Sequence, residues 1–336
     1  MKISIVGATA YTSLELTRLL LRHPAAEIVH YGGRREGNPA MAEIFPSLRG
    51  ICEGRLSGLE PSDAPDKPDV AFFTLPHQVS HEYVPKYLDE GIRCIDFSAD
   101  YRFQSVDTYE EHYGEHSDPD NLKRAVYGIP ELFRDRLRGA DLIANPGCYP
   151  TSVILALAPL AANGLADFTE VIADSKSGVS GRGNKPSRGS MYCECNENLS
   201  PYKVGAHRHA PEMEQGIVMA GAQQAGVLFV PHLVPMDRGI LSTVYVRLAG
   251  AAEEDLQGVY ESYYGEEPFI RVLPSGEFPR TKDVSGTNYC DLAVTRVGEH
   301  RAVVTSAIDN LARGAASQAV QNMNASLGLD EGLGIA

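Results

Sequence analysis

The N-terminal segment alternates between strand-like and helix-like patterns, in an order that few folds accommodate. Lys2 to Gly7 reads as a short buried strand, the next residues carry leucines at helical spacing, and Glu27 to Tyr31 reads as a second strand. The helix between them ends at His23-Pro24, because proline stops it. Strand, tight turn, helix and strand in this order begin a nucleotide-binding fold. We therefore predict an α/β chain whose first domain is a Rossmann-type, doubly wound domain.

The turn after the first strand is a degraded form of the glycine-rich fingerprint that binds a pyrophosphate. Gly7, Ala10 and Ser13 occupy the three glycine positions, and only the first is glycine. Alanine and serine are small, so backbone amides at the helix N-terminus can still approach a phosphate. A plain α/β turn fits the same residues. The candidate cofactor-binding residues here are Gly7, Thr9, Ala10, Tyr11, Thr12 and Ser13.

The end of the second strand indicates which dinucleotide would bind. NAD enzymes usually place Asp or Glu there to bind the ribose 2′-hydroxyl. Here the chain reads His30-Tyr-Gly-Gly-Arg34-Arg35, with no acidic residue before Glu36. Two arginines suit a 2′-phosphate, which favours NADP over NAD. A solvated basic loop is the alternative.

Two later strands each end in a polar segment. Ligands of open α/β sheets bind beyond the carboxyl ends of the strands. This makes Pro76 a candidate for cofactor contact, and Ser98 and Arg102 candidates for binding an anionic substrate. A surface salt bridge of Arg102 to Asp100 or Asp107 is the alternative.

The segment Asn145-Pro-Gly-Cys148-Tyr-Pro-Thr contains the strongest candidate nucleophile. A strand ends at Ala144, Pro-Gly predicts a turn, and the apolar run Val153 to Leu160 predicts a buried helix. Cys148 would then lie near a helix N-terminus, where the helix dipole and free amides favour the thiolate. A thiolate attacks acyl carbon readily. The alternative is a small buried hydrophobic residue.

Two later segments could supply polar groups that act with Cys148. Phe168 to Ala173 reads as a strand that leads into Asp174 to Asn184, a Gly/Ser-rich stretch too polar for a core. That stretch lines a nicotinamide and substrate, or is a flexible loop. Further on, Pro211 predicts a helix start, so His209 precedes the helix and Glu212 lies in its first turn. An imidazole transfers protons near neutral pH and a carboxylate can orient it; surface histidines are the alternative.

A zinc site is a second interpretation of this region. Cys193 and Cys195 form C-x-C, and His207 and His209 form H-x-H. Four such ligands could bind zinc. The spacing departs from the usual C-x-x-C and H-x-x-x-H patterns, so we predict no metal.

The net charge and the distribution of cysteines limit which partners the protein can bind and which cellular compartment suits it. The net charge of −14 at pH 7 argues against a nucleic-acid partner, because a basic stripe is lacking. Nothing at the N-terminus resembles a signal peptide, and no apolar run reaches transmembrane length. The six cysteines are scattered through 336 residues. We expect a cytoplasmic protein with reduced thiols and no membrane partner.

The second half contains strands with a mixed, partly alternating pattern. Such a pattern predicts a mainly antiparallel sheet suited to subunit contact. The strands are Gly226 to Val230, Leu241 to Leu248, Asp291 to Val297 and His300 to Ile308. We expect a final helix, residues 315–327, to pack on the first domain. The predicted division is a dinucleotide-binding domain of residues 1–147 with 309–336, and a catalytic and oligomerisation domain of residues 148–308.

A series of motifs along nearly the whole chain resembles the N-acetyl-gamma-glutamyl-phosphate reductases of arginine biosynthesis. The motifs are Asn145-Pro-Gly-Cys148-Tyr-Pro-Thr, Ser175-Lys-Ser-Gly-Val-Ser-Gly, Asn196-Glu-Asn-Leu, His207-Arg-His-Ala-Pro-Glu, Pro231-His-Leu-Val-Pro-Met, Gly286-Thr-Asn-Tyr-Cys-Asp and Asp309-Asn-Leu-Ala-Arg-Gly-Ala-Ala. The resemblance implies a Rossmann domain plus an α+β domain like those of aspartate-semialdehyde and glyceraldehyde-3-phosphate dehydrogenases. It also implies NADP(H) and a homodimer or homotetramer.

Carried over to this chain, the resemblance makes Cys148 the nucleophile and His209 the acid–base histidine, with His207 and Glu212 beside it. It implies NADPH-dependent reduction of a small acyl phosphate through a cysteine thioester. Further candidates are Ser177, Gly178 and Asn310 for the cofactor, and Asn145, Lys185, Arg188 and Arg208 for the substrate. A reductase for aminoadipyl phosphate on a carrier protein, in lysine biosynthesis, and a non-catalytic NADP-sensing regulator are the alternatives.

The chain departs from the family pattern in its first turn and at two cysteines. The family usually shows Gly-Tyr-Thr-Gly where this chain has Ala10-Tyr-Thr-Ser13. The details of pyrophosphate contact therefore stay open. Cys193 and Cys195 match no family motif and stay unassigned.

Overall fold

The computed structural model describes residues 1–250 and 255–335 of the chain. These residues form two compact units, Met1–Pro146 with Ala315–Ala336, and Gly147–Gly314. Each unit is built around a seven-stranded sheet. None of the helices in the described ranges combines the length and apolar character that crossing a lipid bilayer requires.

The sheet of the first unit is parallel throughout, which confirms the predicted doubly wound fold. Its strands are β1 (Lys2–Val6), β2 (Glu27–Gly32), β3 (Leu56–Ser57), β4 (Val70–Phe73), β5 (Arg93–Asp96), β6 (Val126–Tyr127) and β7 (Leu142–Ala144). They lie in the order β3-β2-β1-β4-β5-β7-β6. The strand order reverses between β1 and β4, and such a reversal opens a crevice at the carboxyl ends of the strands.

Helices connect these strands, as parallel neighbours require. They are α1 (Tyr11–Leu20), α2 (Met41–Ile44), α3 (Ser80–Asp89), α4 (Val106–Tyr113), α5 (Pro119–Arg124) and α6 (Pro130–Leu137). Strand β4 reads Val-Ala-Phe-Phe and is buried on both faces. A continuous apolar run of this kind is typical of a strand covered on both sides.

The sheet of the second unit is mixed and mainly antiparallel, as predicted. The elements of this unit are α7 (Cys148–Ala162), β8 (Ala166–Ser177), α8 (Tyr192–Cys195), β9 (Ser200–Pro201), α9 (Ala210–Met219), β10 (Val227–Leu233), β11 (Ile240–Leu248), α10 (Leu256–Tyr264), β12 (Ile270–Val272), α11 (Thr281–Val284), β13 (Cys290–Val297) and β14 (Arg301–Ile308). The strand order is β12-β13-β14-β11-β8-β10-β9.

Helix α7 forms the centre of the second unit. Every residue from Tyr149 to Ala161 is buried, because the helix packs against α9 and against β8, β11 and β14. A helix surrounded in this way is apolar on all sides. Pro159 cannot donate to the carbonyl of Leu155; the hydroxyl of Tyr264 donates to that carbonyl instead, at 2.6 Å.

The stretch that begins at Asp174 was predicted to be too polar for a core, and this is wrong for its first residues. Strand β8 continues to Ser177, and Ser175 is fully buried. The hydroxyl of Ser175 is hydrogen-bonded to that of Ser242 at 2.7 Å, and Ser242 to Ser152 at 2.7 Å. Polar side chains are tolerated in a core when they are paired in this way.

The last helix, α12 (Ser317–Leu327), belongs to the first unit and packs against α1 and α6. Its polar side chains are buried. Gln318 Nε2 and Asn322 Nδ2 both donate to the carbonyl of Gly128, at 3.0 and 2.9 Å. A side chain at Gly128 would collide with Asn322, whose Nδ2 would lie 2.3 Å from a Cβ there. These bonds fix the helix against the segment that follows β6.

Candidate active site

Cys148 is the first residue of α7 and is half-buried. Strand β7 ends at Ala144. Gly147, the residue before Cys148, is extended, with φ −67° and ψ 150°. The thiol therefore lies where a strand, a turn and a helix meet. The N-terminal end of the helix dipole favours a negative charge at this position.

Gly314 packs directly on Cys148. A Cβ at Gly314 would lie 2.6 Å from the Cβ of Cys148 and 3.2 Å from its Cα. The segment is held by Asp309, whose carbonyl accepts the N–H of Gly314 at 2.8 Å. The carboxylate of Asp309 accepts two further amides, of Leu311 and Ala312. Only glycine leaves room for the cysteine side chain here.

Glu212 fixes the backbone beside the cysteine. It is fully buried in the first turn of α9, and its Oε1 accepts the N–H of Gly147 at 2.8 Å. The sequence predicted that Glu212 orients an imidazole; the bond found here joins α9 to the residue before Cys148. The N–H of Gly147 is consequently engaged within the protein.

The two histidines lie together at the start of α9. His209 precedes the helix, and its backbone N–H donates to His207 Nδ1 at 3.1 Å. Their ring centroids are 4.7 Å apart. Burial, followed by the charges of Lys203 and Arg208, lowers the pKa of His207 to about 4. His207 is therefore neutral near pH 7, and its Nδ1 lone pair holds the backbone of His209.

Aromatic side chains surround His207, and the sequence analysis missed them. The rings of Tyr149, Tyr202 and Phe229 lie 5.9, 5.7 and 5.2 Å from the imidazole. The hydroxyls of Tyr149 and Tyr202 are 3.1 Å apart. Burial raises the pKa of both hydroxyls, and the charge of Cys148 adds to the rise. Tyr149 could have been suspected because it follows Cys148 directly; Tyr202 is distant in sequence.

Three predicted cofactor residues form one packed corner of the second unit. Asn310 is buried; its Oδ1 accepts the N–H of Gly239 at 2.7 Å and its Nδ2 donates to Ser180 Oγ at 3.0 Å. A Cβ at Gly178 would lie 2.5 Å from the carbonyl oxygen of Asp237. Ser177 is buried and donates to the carbonyl of Gly178. These contacts order the turn after β8.

The basic residues predicted to bind substrate in the second unit differ in their surroundings. Lys185 and Arg188 are exposed, and Arg188 Nε lies 3.4 Å from Glu194. Arg208 is half-buried and its charge reaches His207. Arg182 stacks over the Tyr202 ring at 6.0 Å. Within the described ranges no group of three or more His, Cys, Asp or Glu side chains could hold a metal ion.

The first unit has a turn that fits a dinucleotide pyrophosphate. Gly7 has φ +96°, and a Cβ there would lie 2.8 Å from the carbonyl carbon of Thr74 at the end of β4. Ala10 offers no side chain to cap α1, which begins at Tyr11. Ser13, in the third glycine position, is buried and donates to the carbonyl of Ala10 at 2.7 Å. The remaining predicted residues of the turn are Thr9, whose N–H donates to the carbonyl of Gly7, and Thr12, in the first turn of α1.

Two arginines follow β2 and are exposed. Arg34 donates to the hydroxyl of Tyr83 at 2.8 Å and lies 6.0 Å from its ring. In the described part of the chain, the guanidinium of Arg35 makes no hydrogen bond or ion pair. The pair presents positive charge beyond the sheet, where an anionic ribose phosphate would fit. Pro76 is exposed in the segment that follows β4, which lies on the other side of β1 from β2.

The predicted substrate residues of the first unit are buried and already bonded. Arg102 donates through Nε to the carbonyl of Asn145 at 2.9 Å and through Nη2 to that of Phe97 at 2.6 Å. Asn145 donates to the carbonyl of Ala315 at 3.1 Å and accepts from Asn322 at 3.0 Å. Ser98 donates to the Asp96 carboxylate at 2.5 Å. These bonds fix the main chain that precedes Cys148.

Comparison with known proteins agrees with this geometry. Residues 2–140 match the family profile described as semialdehyde dehydrogenase, NAD binding domain, and residues 148–310 match the one described as semialdehyde dehydrogenase, dimerisation domain. The N-acetyl-gamma-glutamyl-phosphate reductase of Geobacter sulfurreducens is 48% identical over 100% of this chain and 98% of its own length. That of Nitrosospira multiformis is 47% identical, with the same coverage.

The chain belongs to the N-acetyl-gamma-glutamyl-phosphate reductase family. This confirms the family resemblance found in the sequence.

Solved structures show that the reductase fold is shared more widely. Aspartate semialdehyde dehydrogenase II of Vibrio cholerae superposes with a TM-score of 0.73 at 17% identity, covering 96% of this chain and 97% of its own. The NADP complex of the Candida albicans enzyme gives 0.72 at 14% identity, with the same coverage. At this identity the likeness concerns the fold alone.

Proposed function

We propose that this chain reduces N-acetyl-gamma-glutamyl phosphate with NADPH, giving N-acetylglutamate 5-semialdehyde and phosphate. The observation that carries the proposal is a nucleophile-bearing turn inside a chain that matches named reductases over its full length. The relatives cited above carry the acetylglutamyl name, so neither the aminoadipyl alternative nor a regulator is favoured.

Cys148 acts as the nucleophile. Its thiolate attacks the acyl carbon, a C–S bond forms, and the C–O bond to phosphate breaks as phosphate leaves with the electron pair. When bound, NADPH supplies the hydride that reduces the resulting thioester. Collapse of the thiohemiacetal then breaks the C–S bond, releases the semialdehyde and restores the thiolate.

His209 carries the proton in these steps, and His207 and Glu212 are positioning residues. The imidazole of His209 is beside Tyr149, with ring centroids 6.0 Å apart, and Tyr149 follows the nucleophile in α7. His207 accepts a hydrogen bond from the backbone N–H of His209 and so fixes the main chain that carries the His209 imidazole. Glu212 holds the turn that presents Cys148. The oxyanion donors must lie elsewhere than Gly147, since its N–H is engaged.

The first unit would bind NADP(H). The turn from Gly7 to Ser13 would hold the pyrophosphate at the N-terminus of α1. Arg34 and Arg35 would bind the 2′-phosphate, which supports NADP rather than NAD. Pro76, at the end of the adjacent strand, would line the same crevice, and the turn of Ser177 and Gly178 with Asn310 would contact the nicotinamide end.

For the acyl phosphate, Arg102, Ser98 and Asn145 support the main chain before Cys148. Arg208 and Lys185, with the charges they carry, would bind the carboxylate and phosphate groups of the substrate.

The second unit would form a homodimer through the open face of its sheet. Helices α7, α9 and α10 cover one face. On the other face Leu228, Ile172 and Tyr245 are neighbours on β10, β8 and β11, with 49%, 42% and 44% of their surface exposed. A row of large exposed apolar side chains marks a contact surface. A tetramer would need a second surface in addition.

The compartment we propose is the cytoplasm. None of the six cysteines, all of which lie in the described ranges, forms a disulfide. Reduced thiols suit a reducing compartment.

The Cys148→Ser variant tests the proposed reaction. We expect it to lose phosphate-dependent NADP reduction with N-acetylglutamate semialdehyde, and to keep NADPH binding measured by fluorescence. A serine hydroxyl is a far weaker nucleophile than a thiolate at neutral pH. Cys193→Ser, at an exposed cysteine, is the matched control and should retain activity. Turnover in Cys148→Ser would remove Cys148 from its role.

A further inference from the structure

Arg238 lies on the short segment between β10 and β11 and takes no part in the reaction steps proposed above. The main chain around it is tied to the turn after β8. The N–H of Val179 donates to the carbonyl of Met236 at 2.9 Å. The N–H of Gly178 donates to the carbonyl of Gly239, also at 2.9 Å. Arg238 is therefore held on both sides, and its side chain projects from a fixed stretch of main chain.

The guanidinium of Arg238 forms an ion pair with a fully buried carboxylate. Its Nε lies 3.1 Å from Asp309 Oδ2, and the side chain of Arg238 itself is only 20% exposed. Among the residues that the structure describes, Arg238 is the only basic side chain paired with Asp309. A charge buried this deeply is strongly unfavourable when its partner is removed, so Arg238 stabilises the carboxylate where it lies.

The carboxylate of Asp309 also holds the turn that follows β14. Its Oδ1 accepts the N–H groups of Leu311 and Ala312, at 2.8 and 3.0 Å. Its Oδ2 accepts the N–H of Gly286 at 2.7 Å. Gly286 lies between α11 and β13, so one buried carboxylate joins that segment to the turn after β14. The ion pair with Arg238 therefore fixes more than a single side chain.

The turn after β14 packs Gly314 against the nucleophile. The N–H of Gly314 donates to the carbonyl of Asp309, five residues back, at 2.8 Å. This is the hydrogen-bond spacing of a π-helix, which is rare and frequently marks a functional site. A Cβ at Gly314 would lie 2.6 Å from that of Cys148 and 3.4 Å from the Asp309 carbonyl oxygen. A continuous series of contacts therefore leads from Arg238, through Asp309 and Gly314, to the nucleophile.

We propose that Arg238 is a positioning residue of the reaction: by fixing the carboxylate of Asp309 it holds the turn that packs on Cys148. The inference rests on the proposed function, in which Cys148 is the nucleophile. Without the guanidinium the carboxylate would be buried without a counter-charge, and the turn would move to bring it towards water. A displacement of about 1 Å at a reacting group costs roughly 100-fold in rate.

The test uses Arg238→Met in the full-length protein, with Arg238→Lys as the conservative variant. Arg271→Met is the matched control, because Arg271 also pairs with a buried carboxylate of the same unit, with its Nε 2.6 Å from Asp291 Oδ1. Its other partners are the carbonyl of Asp283 and the ring of Tyr289. Rates of phosphate-dependent NADP reduction with N-acetylglutamate semialdehyde give kcat and the KM for NADP.

We expect Arg238→Met to lower kcat at least about 30-fold, while the KM for NADP stays within about threefold of the unchanged protein. Arg238→Lys should lower kcat only about tenfold, because an ammonium keeps the charge but not the planar geometry of the guanidinium. Arg271→Met should keep kcat within about twofold. A kcat in Arg238→Met that equals that of the control overturns the proposal. Should the methionine variant not fold, an unaltered kcat in Arg238→Lys overturns it.

A double variant separates positioning from a general loss of structure. Arg238→Met and Gly314→Ala would displace the same turn, so their effects on kcat should not add. We expect the kcat of the double variant to lie within about threefold of that of the slower single variant. A loss equal to the product of the two single losses would show independent effects, and it would overturn the proposal.

Hydrogen exchange tests the turn without the reaction. In Arg238→Met, a peptide that contains the amides of Leu311, Ala312 and Gly314 should exchange at least about tenfold faster than in the unchanged protein. In Arg271→Met the same peptide should exchange at the unchanged rate. Faster exchange confined to Arg238→Met, in a protein that does not oxidise the semialdehyde, would keep the link between Arg238 and the turn and reject the reaction. Equal exchange in the two variants would reject the link.

Discussion

Gly314 decides where Cys148 can lie, and no side chain can replace its hydrogen. In Gly314→Ala the new Cβ would approach the Cβ of Cys148 to 2.6 Å, so α7 or the turn after β14 must shift. A displacement of about 1 Å at a nucleophile costs roughly 100-fold in rate. We expect kcat to fall by about that factor. Gly250→Ala is the control, since none of the described residues lies within 4 Å of a Cβ there. Equal kcat in the two variants would contradict the packing argument.

Asp96 provides a residue-scale prediction for pH dependence. Burial, with the neighbouring Asp100, raises the pKa of Asp96 to about 7. The folded state then holds a proton that the unfolded state loses near pH 4. The contribution of Asp96 to the free energy of unfolding is fully present below pH 4 and is lost as the pH rises through 7.

Asp96→Asn should remove this loss, because the amide stays neutral and can still accept from Ser98. We expect the free energy of unfolding at pH 8, relative to pH 5, to improve by about 1 to 3 kcal/mol over the unchanged protein. Urea titrations at both pH values measure it. The exposed Asp135→Asn is the control, and the same pH slope in both variants would refute the assignment.

The single residues also show how far a sequence can be interpreted. Cys148 was located correctly at a helix start because strand end, turn and apolar run are local signals. Asn145 and Arg102 were predicted to bind substrate, and this stays a prediction. Their side chains bond to Ala315, Asn322 and backbone carbonyls, and that engagement depends on residues far away in sequence. A sequence does not reveal that a polar group is already paired.

The strands and helices were likewise predicted well where the signal is local and poorly where it depends on distant residues. The long strands and helices were predicted to within a few residues because their patterns are periodic. Strand β9 was missed, since two residues become a strand only by pairing with His232 and Leu233 of β10. The extension of β8 to Ser177 was missed because hydroxyl pairing inside the core leaves no trace in hydropathy.

Helix α7 yields a prediction at the scale of elements. Pro159 leaves the Leu155 carbonyl without its helical donor, and Tyr264 supplies one. Tyr264→Phe would leave a buried carbonyl without that bond, which costs about 1 to 3 kcal/mol. Chemical denaturation should show this loss. Tyr263→Phe is the matched control, because that hydroxyl has no hydrogen bond in the described residues. Comparable stability of both variants would show that the bond contributes little.

At the scale of the whole molecule, the open sheet face predicts the response of the assembly to a charge. Ile172→Glu would place a carboxylate in the centre of the Leu228, Ile172 and Tyr245 row. Burying an unpaired charge at a contact is strongly unfavourable, so sedimentation velocity should show monomers. Ile51→Glu, at an isoleucine 63% exposed in the first unit, should sediment like the unchanged protein. A dimer in Ile172→Glu would mean that another surface holds the subunits together.

The burial of α7 has a consequence for how the reactivity of Cys148 is lost on heating. Every residue of this helix from Tyr149 to Ala161 is shielded from solvent, so local fraying of that stretch is unfavourable. Amide protons along it should exchange only when the unit opens as a whole. The thiol of Cys148, at the N-terminal end of this helix, would then keep its surroundings until the unit unfolds. Its reactivity should therefore not decline gradually at lower temperatures.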